Sequence, residues 1–128
     1  MQYPEFLRRV EDQIGATQPA SETQPAAERA ITATLETLSE RLTGGQANNL
    51  AAQLPGELQA PLRRTAEEAE DFSLEEFYRR VSEREGVDID TARNDVSAVM
   101  TVLRLAVTGG ELDNLIAQLP SEFNALFL

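Results

Sequence analysis

The sequence contains an internal repeat. Residues 43–60 and 108–125 are identical at eleven of eighteen positions, at a constant offset of 65 residues. The segment Glu5-Phe6-Leu7-Arg8-Arg9-Val10 returns as Glu76-Phe77-Tyr78-Arg79-Arg80-Val81, at an offset of 71 residues. A repeated unit of this size predicts a supersecondary structure that occurs twice and packs against its own copy.

The two offsets differ by 71 − 65 = 6 residues, which places six extra residues in the first copy after Gly15. They fall within residues 17–25, whose Pro, Ser, Thr and Gln content is typical of a surface loop. We therefore divide the chain into a first helical repeat (1–64), an acidic linker (65–72) and a second helical repeat (73–128). At 128 residues both copies fit one compact domain.

Apolar residues recur at helical spacing in both copies. Ser73 and Glu76 form the pattern of a capping box, and Gly86 follows the helix that this pattern opens. Asp88 is a natural N-cap for a long helix to about residue 108, with a counterpart over residues 24–43. Phe6 and Phe77 are predicted at equivalent core positions.

A Gly-Gly pair follows each long helix, and we interpret both pairs as helix ends in which glycine adopts the left-handed conformation. Short helices are expected at 47–54 and 111–119, and Pro55 and Pro120 each open a last short helix. No stretch alternates with period two for long enough to form a strand. The predicted fold is all-α, a helical bundle built from two tandem copies of a four-helix repeat.

The composition excludes most catalytic chemistry. The chain has no His, Cys or Lys, which removes Cys/His zinc sites, Ser-His and Cys-His catalysis and lysine Schiff bases. No Asp or Glu lies in a sequence apolar enough to predict a raised pKa. Glu57 and Glu122, which recur after the prolines, are interpreted as first-turn helix acids. We expect no enzyme, no catalytic residue, no cofactor and no metal site.

Two motifs resemble binding sites only weakly. Asp88, Asp90 and Asp95 partly match the spacing of a calcium loop, but Arg93 stands where that loop needs glycine. One arginine of each pair, Arg8-Arg9 and Arg79-Arg80, is expected to form an ion pair, either with a neighbouring glutamate or across the seam between the repeats. An anion-binding site built from the four arginines is the alternative. Gln53 and Gln118 occupy identical contexts and are expected to make equivalent hydrogen bonds to backbone near the prolines.

The charge of the chain is strongly negative. Twenty-two acids against eleven arginines give a net charge of −11, so we expect no nucleic-acid binding. Six acids lie within residues 65–76, which is typical of a solvated linker and a helix start; a docking site for a basic partner is the alternative. With no apolar stretch long enough to span a bilayer and no secretory leader, we expect a cytoplasmic protein that does not bind membranes.

The order of these motifs resembles a known family. Glu-Phe-x-x-Arg-Val, then glycine, a long helix, Gly-Gly and Gln-Leu-Pro-x-Glu is similar to domain-of-unknown-function family 2267 of prokaryotes, over nearly the whole chain. The resemblance implies a small prokaryotic protein with a helical fold. It implies no activity, and therefore no catalytic residues can be carried over from it.

Divergence between the copies indicates a surface. Thr37 and Glu40 of the first long helix are replaced by Val102 and Leu105 in the second, and the last segment becomes richer in large apolar residues. Such apolar area is covered either by the rest of the chain or by a partner. The predicted interaction surface comprises four residues: Ala98, Val102, Leu105 and Phe127.

Two functions from different classes follow from these patterns. The first is a non-enzymatic protein-interaction or scaffold module with an unknown protein partner, which includes a second copy of the chain as a homodimer. The alternative is a small-molecule or ion-binding protein with its site between the two repeats, where ligands often bind in proteins.

Overall fold

The computed structural model describes residues 1–15, 20–63 and 66–127, and in this part of the chain it is helical with no strand. Three α-helices precede the linker and three follow it, and short 3₁₀ helices come after Pro55 and Pro120. The prediction of an all-α fold is confirmed. The α-helices are α1 (Tyr3–Ile14), α2 (Ala20–Arg41), α3 (Gly44–Ala52), α4 (Leu74–Glu85), α5 (Ile89–Ala106) and α6 (Gly109–Gln118), and the 3₁₀ helices are Gly56–Leu58, Ala60–Leu62 and Ser121–Phe127.

The two long helices, α2 and α5, pack against each other at the centre, and α1 and α4 each pack against both of them. A single hydrophobic core results, in which Phe6 and Phe77 are completely buried, as predicted. The Phe77 ring meets Phe123 edge-on at 6.0 Å between centroids. Such edge-to-face pairs stabilise a core beyond the area that they bury.

Several helix ends lie where the sequence predicts them. The Ser73 side chain accepts a hydrogen bond from the Glu76 N–H, and Asp88 accepts one from the Thr91 N–H. Gly86 ends α4 with φ +72° and ψ +36°, the left-handed conformation that glycine adopts without steric cost. These caps satisfy backbone groups that have no partner within the helix.

The prediction that both Gly-Gly pairs end helices is wrong. Gly44 and Gly109 are the first residues of α3 and α6, and the preceding Thr43 and Thr108 are the N-caps. Each threonine hydroxyl accepts a hydrogen bond from the N–H three residues later. Among the described residues, Gly86 is the only glycine with a positive φ.

Part of the predicted surface loop after Gly15, residues 20–25, is helical. Helix α2 begins at Ala20 instead of residue 24 and includes Pro25, while residues 17–19 lie outside the described part of the chain. Gly15 has a right-handed conformation (φ −62°) and not the left-handed one of its counterpart Gly86. The sequence-matched ends of α1 and α4 therefore differ in backbone geometry.

Among the described helices, none has a segment long and apolar enough to cross a membrane.

Candidate functional site

The predicted interaction surface is not exposed as a unit. Ala98 and Val102 are buried on α5, and Phe127 is buried in the final 3₁₀ helix. Leu105 is the exception, with 61% of its surface exposed. The prediction of a four-residue interaction surface is therefore wrong. Ala98, Val102 and Phe127 pack within the chain, and only Leu105 of the four faces solvent.

Charged and hydroxyl side chains line a groove beside the other long helix, α2. This open groove has a volume of about 790 Å³ and lies between α2, the 3₁₀ turns after Pro55 and the linker. Four glutamates and one arginine line it, together with hydroxyl groups from α2. The charged lining residues are Glu36, Glu40, Glu57, Arg63 and Glu70. We call this the acidic groove.

One side of the acidic groove is an ion-pair network between α2 and α4. Arg84 donates a hydrogen bond to one carboxylate oxygen of Glu40 at 2.6 Å, and Arg80 donates one to the other oxygen at 3.1 Å. Arg84 also donates to the Thr37 hydroxyl at 2.8 Å, one helical turn before Glu40. Because Glu40 is three-quarters buried, these bonds replace the water that its carboxylate loses on folding.

The network keeps its carboxylates ionised. Burial acts to raise the pKa of Glu40, but the hydrogen bonds and charges of Arg84 and Arg80 outweigh it, and the pKa is lowered. Hydrogen bonds from Arg79 and Arg80 lower the pKa of the partly buried Glu76 to about 2. Both carboxylates therefore stay charged at neutral pH.

The described part of the acidic linker, residues 66–72, docks on α2 while its acidic side chains stay exposed. The Glu70 N–H donates to the Glu40 carbonyl at 2.8 Å, and the Glu70 carboxylate binds Arg80 at 3.0 Å. Arg80 also stacks on the Phe72 ring, with its guanidinium carbon 4.0 Å from the ring centroid. Arg41 donates to the Phe72 carbonyl at 3.0 Å. The linker thus forms one wall of the acidic groove.

Gly44 is required where the linker crosses the start of α3. Its N–H donates to the Glu67 carbonyl at 3.0 Å. A Cβ at this position would lie 2.6 Å from the Ala66 carbonyl oxygen, closer than two such atoms can approach. The absence of a side chain at Gly44 therefore permits this close backbone contact.

A second groove of about 430 Å³ continues along α2 towards α4. It shares Glu36 with the acidic groove and adds Glu28, Arg29 and Arg84. Two acids and two arginines balance its charge, in contrast to the acidic groove. Arg84 comes from α4, so this groove lies between helices of the two sequence copies.

Two carboxyl groups are buried together in the second half of the chain, which the sequence did not predict. Glu85 is the last residue of α4 and Asp95 lies on α5, and they are only 7% and 6% exposed. Burial raises the pKa of both carboxyls, and a hydrogen bond between them raises that of Glu85 further. The charge of Arg29 opposes this shift. Neither carboxyl lines either of the two grooves.

Reciprocal hydrogen bonds join α3 and α6. The Gln53 side chain accepts from the Thr108 N–H at 2.9 Å, and the Gln118 side chain accepts from the Thr43 N–H at 2.9 Å. Between them, the side chain of Gln46 donates to the carboxylate of its sequence counterpart, residue 111. The expectation of equivalent glutamine bonds is confirmed, but the backbone partners lie at the N-caps of the opposite copy and not at the nearby prolines.

The arginine pairs behave as predicted, each with an ion pair to a glutamate on its own helix. Arg9 binds Glu5 at 2.9 Å, and Arg80 binds Glu76 at 2.9 Å.

Within residues 1–15, 20–63 and 66–127, no three Asp or Glu side chains are placed to hold a metal ion together.

The class of protein that these observations define is a small acidic helical protein with charged grooves along one central helix. The chain belongs to the family described as an uncharacterized conserved protein (DUF2267), whose family model matches residues 3–126. A comparison with curated proteins finds no match.

Proposed function

We propose that the protein is a non-enzymatic interaction module that binds a cationic segment of a partner protein in the acidic groove. The observation that carries this proposal is the set of four glutamates facing one open groove with a single arginine among them. A cluster of negative charges raises the local concentration of a positively charged partner and accelerates its association.

The four glutamates are not equivalent. Glu40 and Glu70 already bind Arg80, so their charge is largely compensated within the chain. Glu36 and Glu57 have no ion pair among the described residues. These two carboxylates are therefore the groups available to a lysine or arginine of the partner.

The size of the effect follows from the energy of exposed ion pairs. Each contributes about 0.2–1 kcal/mol. Loss of both carboxylates therefore weakens binding by about 0.4–2 kcal/mol, which corresponds to roughly 2-fold to 30-fold in affinity. Because the pairs are open to solvent, binding should weaken further as salt is added.

A labelled tetra-arginine peptide, titrated by fluorescence anisotropy, tests the proposal. The double variant Glu36→Gln/Glu57→Gln should bind it more weakly than the wild type. The control Asp12→Asn/Asp113→Asn removes the same charge at exposed positions outside the groove. The control should retain the wild-type affinity within about two-fold, which is the scatter expected of surface substitutions. Equal weakening by both double variants would mean that net charge alone attracts the peptide, and would contradict a groove-specific site.

The second groove favours a second candidate function, the binding of a small zwitterionic molecule between the two copies. Arg29 has no hydrogen bond or ion pair among the described residues, and it faces the groove with Glu28 and Glu36. A guanidinium beside carboxylates suits a ligand that carries both charges. Thermal-shift measurements with amino acids test this function, and Arg29→Gln should abolish any shift.

We further propose that the chain is a duplicated four-helix unit with its two copies related by a pseudo-two-fold axis between α3 and α6. The reciprocal Gln53–Thr108 and Gln118–Thr43 hydrogen bonds support this arrangement, because a two-fold axis exchanges the members of each pair. The same two-fold axis would also exchange the contact of α1 with α5 for the contact of α4 with α2. The prokaryotic and cytoplasmic setting of the protein stays a prediction from the sequence.

A further inference from the structure

We propose that the end of α5 and the start of α6 form a second docking site, which binds an extended acidic segment of a partner protein. The mode of binding would be the one by which residues 66–72 of this chain dock on α2 and α3. This site goes beyond the acidic groove, since it lies on other helices and takes a ligand of opposite charge.

The occupied site on α2 and α3 shows what such docking requires. Two main-chain hydrogen bonds hold the segment: Gly44 N–H to the Glu67 carbonyl at 3.0 Å, and Glu70 N–H to the Glu40 carbonyl at 2.8 Å. Gly44 permits the approach of the Ala66 carbonyl, as described above. Recognition through the main chain accepts many sequences, and the charged side chains then select among them.

The same backbone groups recur at the sequence-matched positions. An offset of 65 residues takes Gly44 to Gly109 and Glu40 to Leu105. Both matched residues are exposed, and a Cβ at Gly109 would have nothing within 4 Å. Among the described residues, no other segment of the chain bonds to the Gly109 N–H or to the Leu105 carbonyl.

No contact among the described residues requires glycine at position 109. It lies in the first turn of α6, where a residue with a side chain would fit. Glycine in a helix is less stable than alanine by roughly 0.5–1 kcal/mol. A ligand that approaches Gly109 as Ala66 approaches Gly44 would account for that residue.

Two arginines lie at the sequence-matched positions, alongside Glu5, which binds Arg9, and Glu111 in the first turn of α6. Ser39 on α2 is replaced by Arg104 on α5, an exposed arginine with no ion pair among the described residues. On the packed helix α1, Arg9 corresponds to Arg80, which binds Glu70 in the occupied site. With Leu105 in place of Glu40, α5 supplies no carboxylate at that matched position.

These features define the chemistry of the occupant. It is an extended segment with acidic side chains for Arg104 and Arg9 and an apolar side chain for Leu105. Among the described residues, Leu105 is the more exposed of two exposed large apolar side chains; the other is Met1. Segment 66–72 of this chain has that composition, with three glutamates, an aspartate and a phenylalanine. Within the chain, this segment is already bound at the occupied site on α2 and α3.

A labelled peptide with the sequence of residues 66–72 is the probe. Fluorescence anisotropy should show that the full-length wild type binds it and that Gly109→Ala reduces its affinity at least about ten-fold, because the new methyl group collides with the peptide carbonyl. Gly110→Ala, in equally open space, is the matched control and should keep the affinity. The melting temperature of Gly109→Ala should equal or exceed that of the wild type, which separates lost binding from lost folding.

Three results would overturn the proposal. Equal peptide binding by wild type and Gly109→Ala would show that the peptide does not use this site, and that it instead replaces the chain's own linker at Gly44. No binding by the wild type at millimolar peptide would show that the site is not a docking site for this chemistry. A wild-type dimer that Gly109→Ala dissociates, in sedimentation equilibrium without peptide, would identify a second copy as the occupant.

Discussion

The contact of α2 with α4 and the contact of α5 with α1 use sequence-matched residues but differ in chemistry. In the first, Glu40 on α2 binds two arginines of α4, and the linker covers the contact. In the second, Leu105 replaces Glu40 and is exposed. The carboxylates that line an open groove are thus gathered on the α2 side, although both helix pairs pack into the same core.

The contacts of α4 with α5 and of α1 with α2 also differ, and here the second half has the buried carboxyl groups. Glu85 and Asp95 lie where α4 meets α5, whereas the matched residues of α1 and α2 are Ile14 and Ala30. All four are buried. The backbone of this fold therefore accommodates either an apolar pair or two carboxyl groups at this position, so the carboxyl pair is not needed to form the contact.

The largest expected effect comes from the paired core phenylalanines. Replacing Phe6 or Phe77 by alanine should each reduce the free energy of unfolding by about 3–5 kcal/mol, the usual range for a fully buried phenylalanine. Phe77→Ala should cost more, since only Phe77 has edge contacts with two other rings. Urea denaturation measures both values, and a loss below about 1 kcal/mol at either site would contradict its core position.

Next in size is the effect of copying the apolar pair into the second half. The variant Glu85→Ile/Asp95→Ala should be more stable than the wild type by about 1–4 kcal/mol at neutral pH, as is found when buried charged groups are replaced by apolar residues. A less stable variant would show that the carboxyl pair contributes favourable contacts that Ile14 and Ala30 do not represent.

The pH dependence of this gain has a defined sign. Because the pKa values of Glu85 and Asp95 are raised in the folded state, the folded protein retains a proton that the unfolded chain releases above its ordinary carboxyl pKa. The wild type therefore loses stability as the pH rises from that ordinary value towards the raised one. Thermal unfolding should show a variant advantage that is small near about pH 5 and grows towards about pH 8. An advantage independent of pH would mean that the pair does not hold a proton.

A smaller effect is expected from exchanging the matched residues of the long helices. Glu40→Leu leaves Arg80 and Arg84 without their shared carboxylate and should cost about 1–3 kcal/mol, the usual cost of an unsatisfied, partly buried polar group. Leu105→Glu, at an exposed position, should change stability by less than about 0.5 kcal/mol. Chemical denaturation of both variants tests the difference, and equal losses would contradict it.

The smallest effects should be equal in the two halves. Gln53→Ala and Gln118→Ala each remove the acceptor of an N-cap backbone N–H and should each cost about 0.5–1.5 kcal/mol. Hydrogen exchange should become faster at Thr108 in the first variant and at Thr43 in the second. Acceleration within the mutated copy instead would contradict the exchange of glutamines between copies.

The helical periodicity, the N-caps at Ser73 and Asp88 and the buried phenylalanines could be predicted because they depend on local pattern. The Gly-Gly pairs are misassigned from sequence since glycine ends helices more often than it begins them. The capping pattern Thr-x-x-Gln/Glu, present at Thr43 and Thr108, is the sequence signal that identifies these residues as helix starts.

The acidic groove and the carboxyl pair are harder to predict because each depends on distant segments. Glu57 and Glu70 line the groove with α2 residues, although they belong to the 3₁₀ turn after Pro55 and to the linker. The burial of Asp95 could be predicted from the sequence, since it follows Ala92 by three residues and precedes Val99 by four on the buried face of α5. Its partner Glu85 comes from another helix, and helical spacing contains no information about that pairing.

Mapping the binding of the tetra-arginine peptide by ¹H–¹⁵N NMR tests most directly whether the acidic groove is a binding site. Backbone shifts should concentrate at groove residues such as Thr32, Glu36, Ser39 and Glu57. The sequence-matched α5 positions, Ser97, Thr101 and Arg104, should stay unchanged, because they lack these carboxylates. Shifts spread evenly over all acidic residues, or centred on α5, would contradict the account.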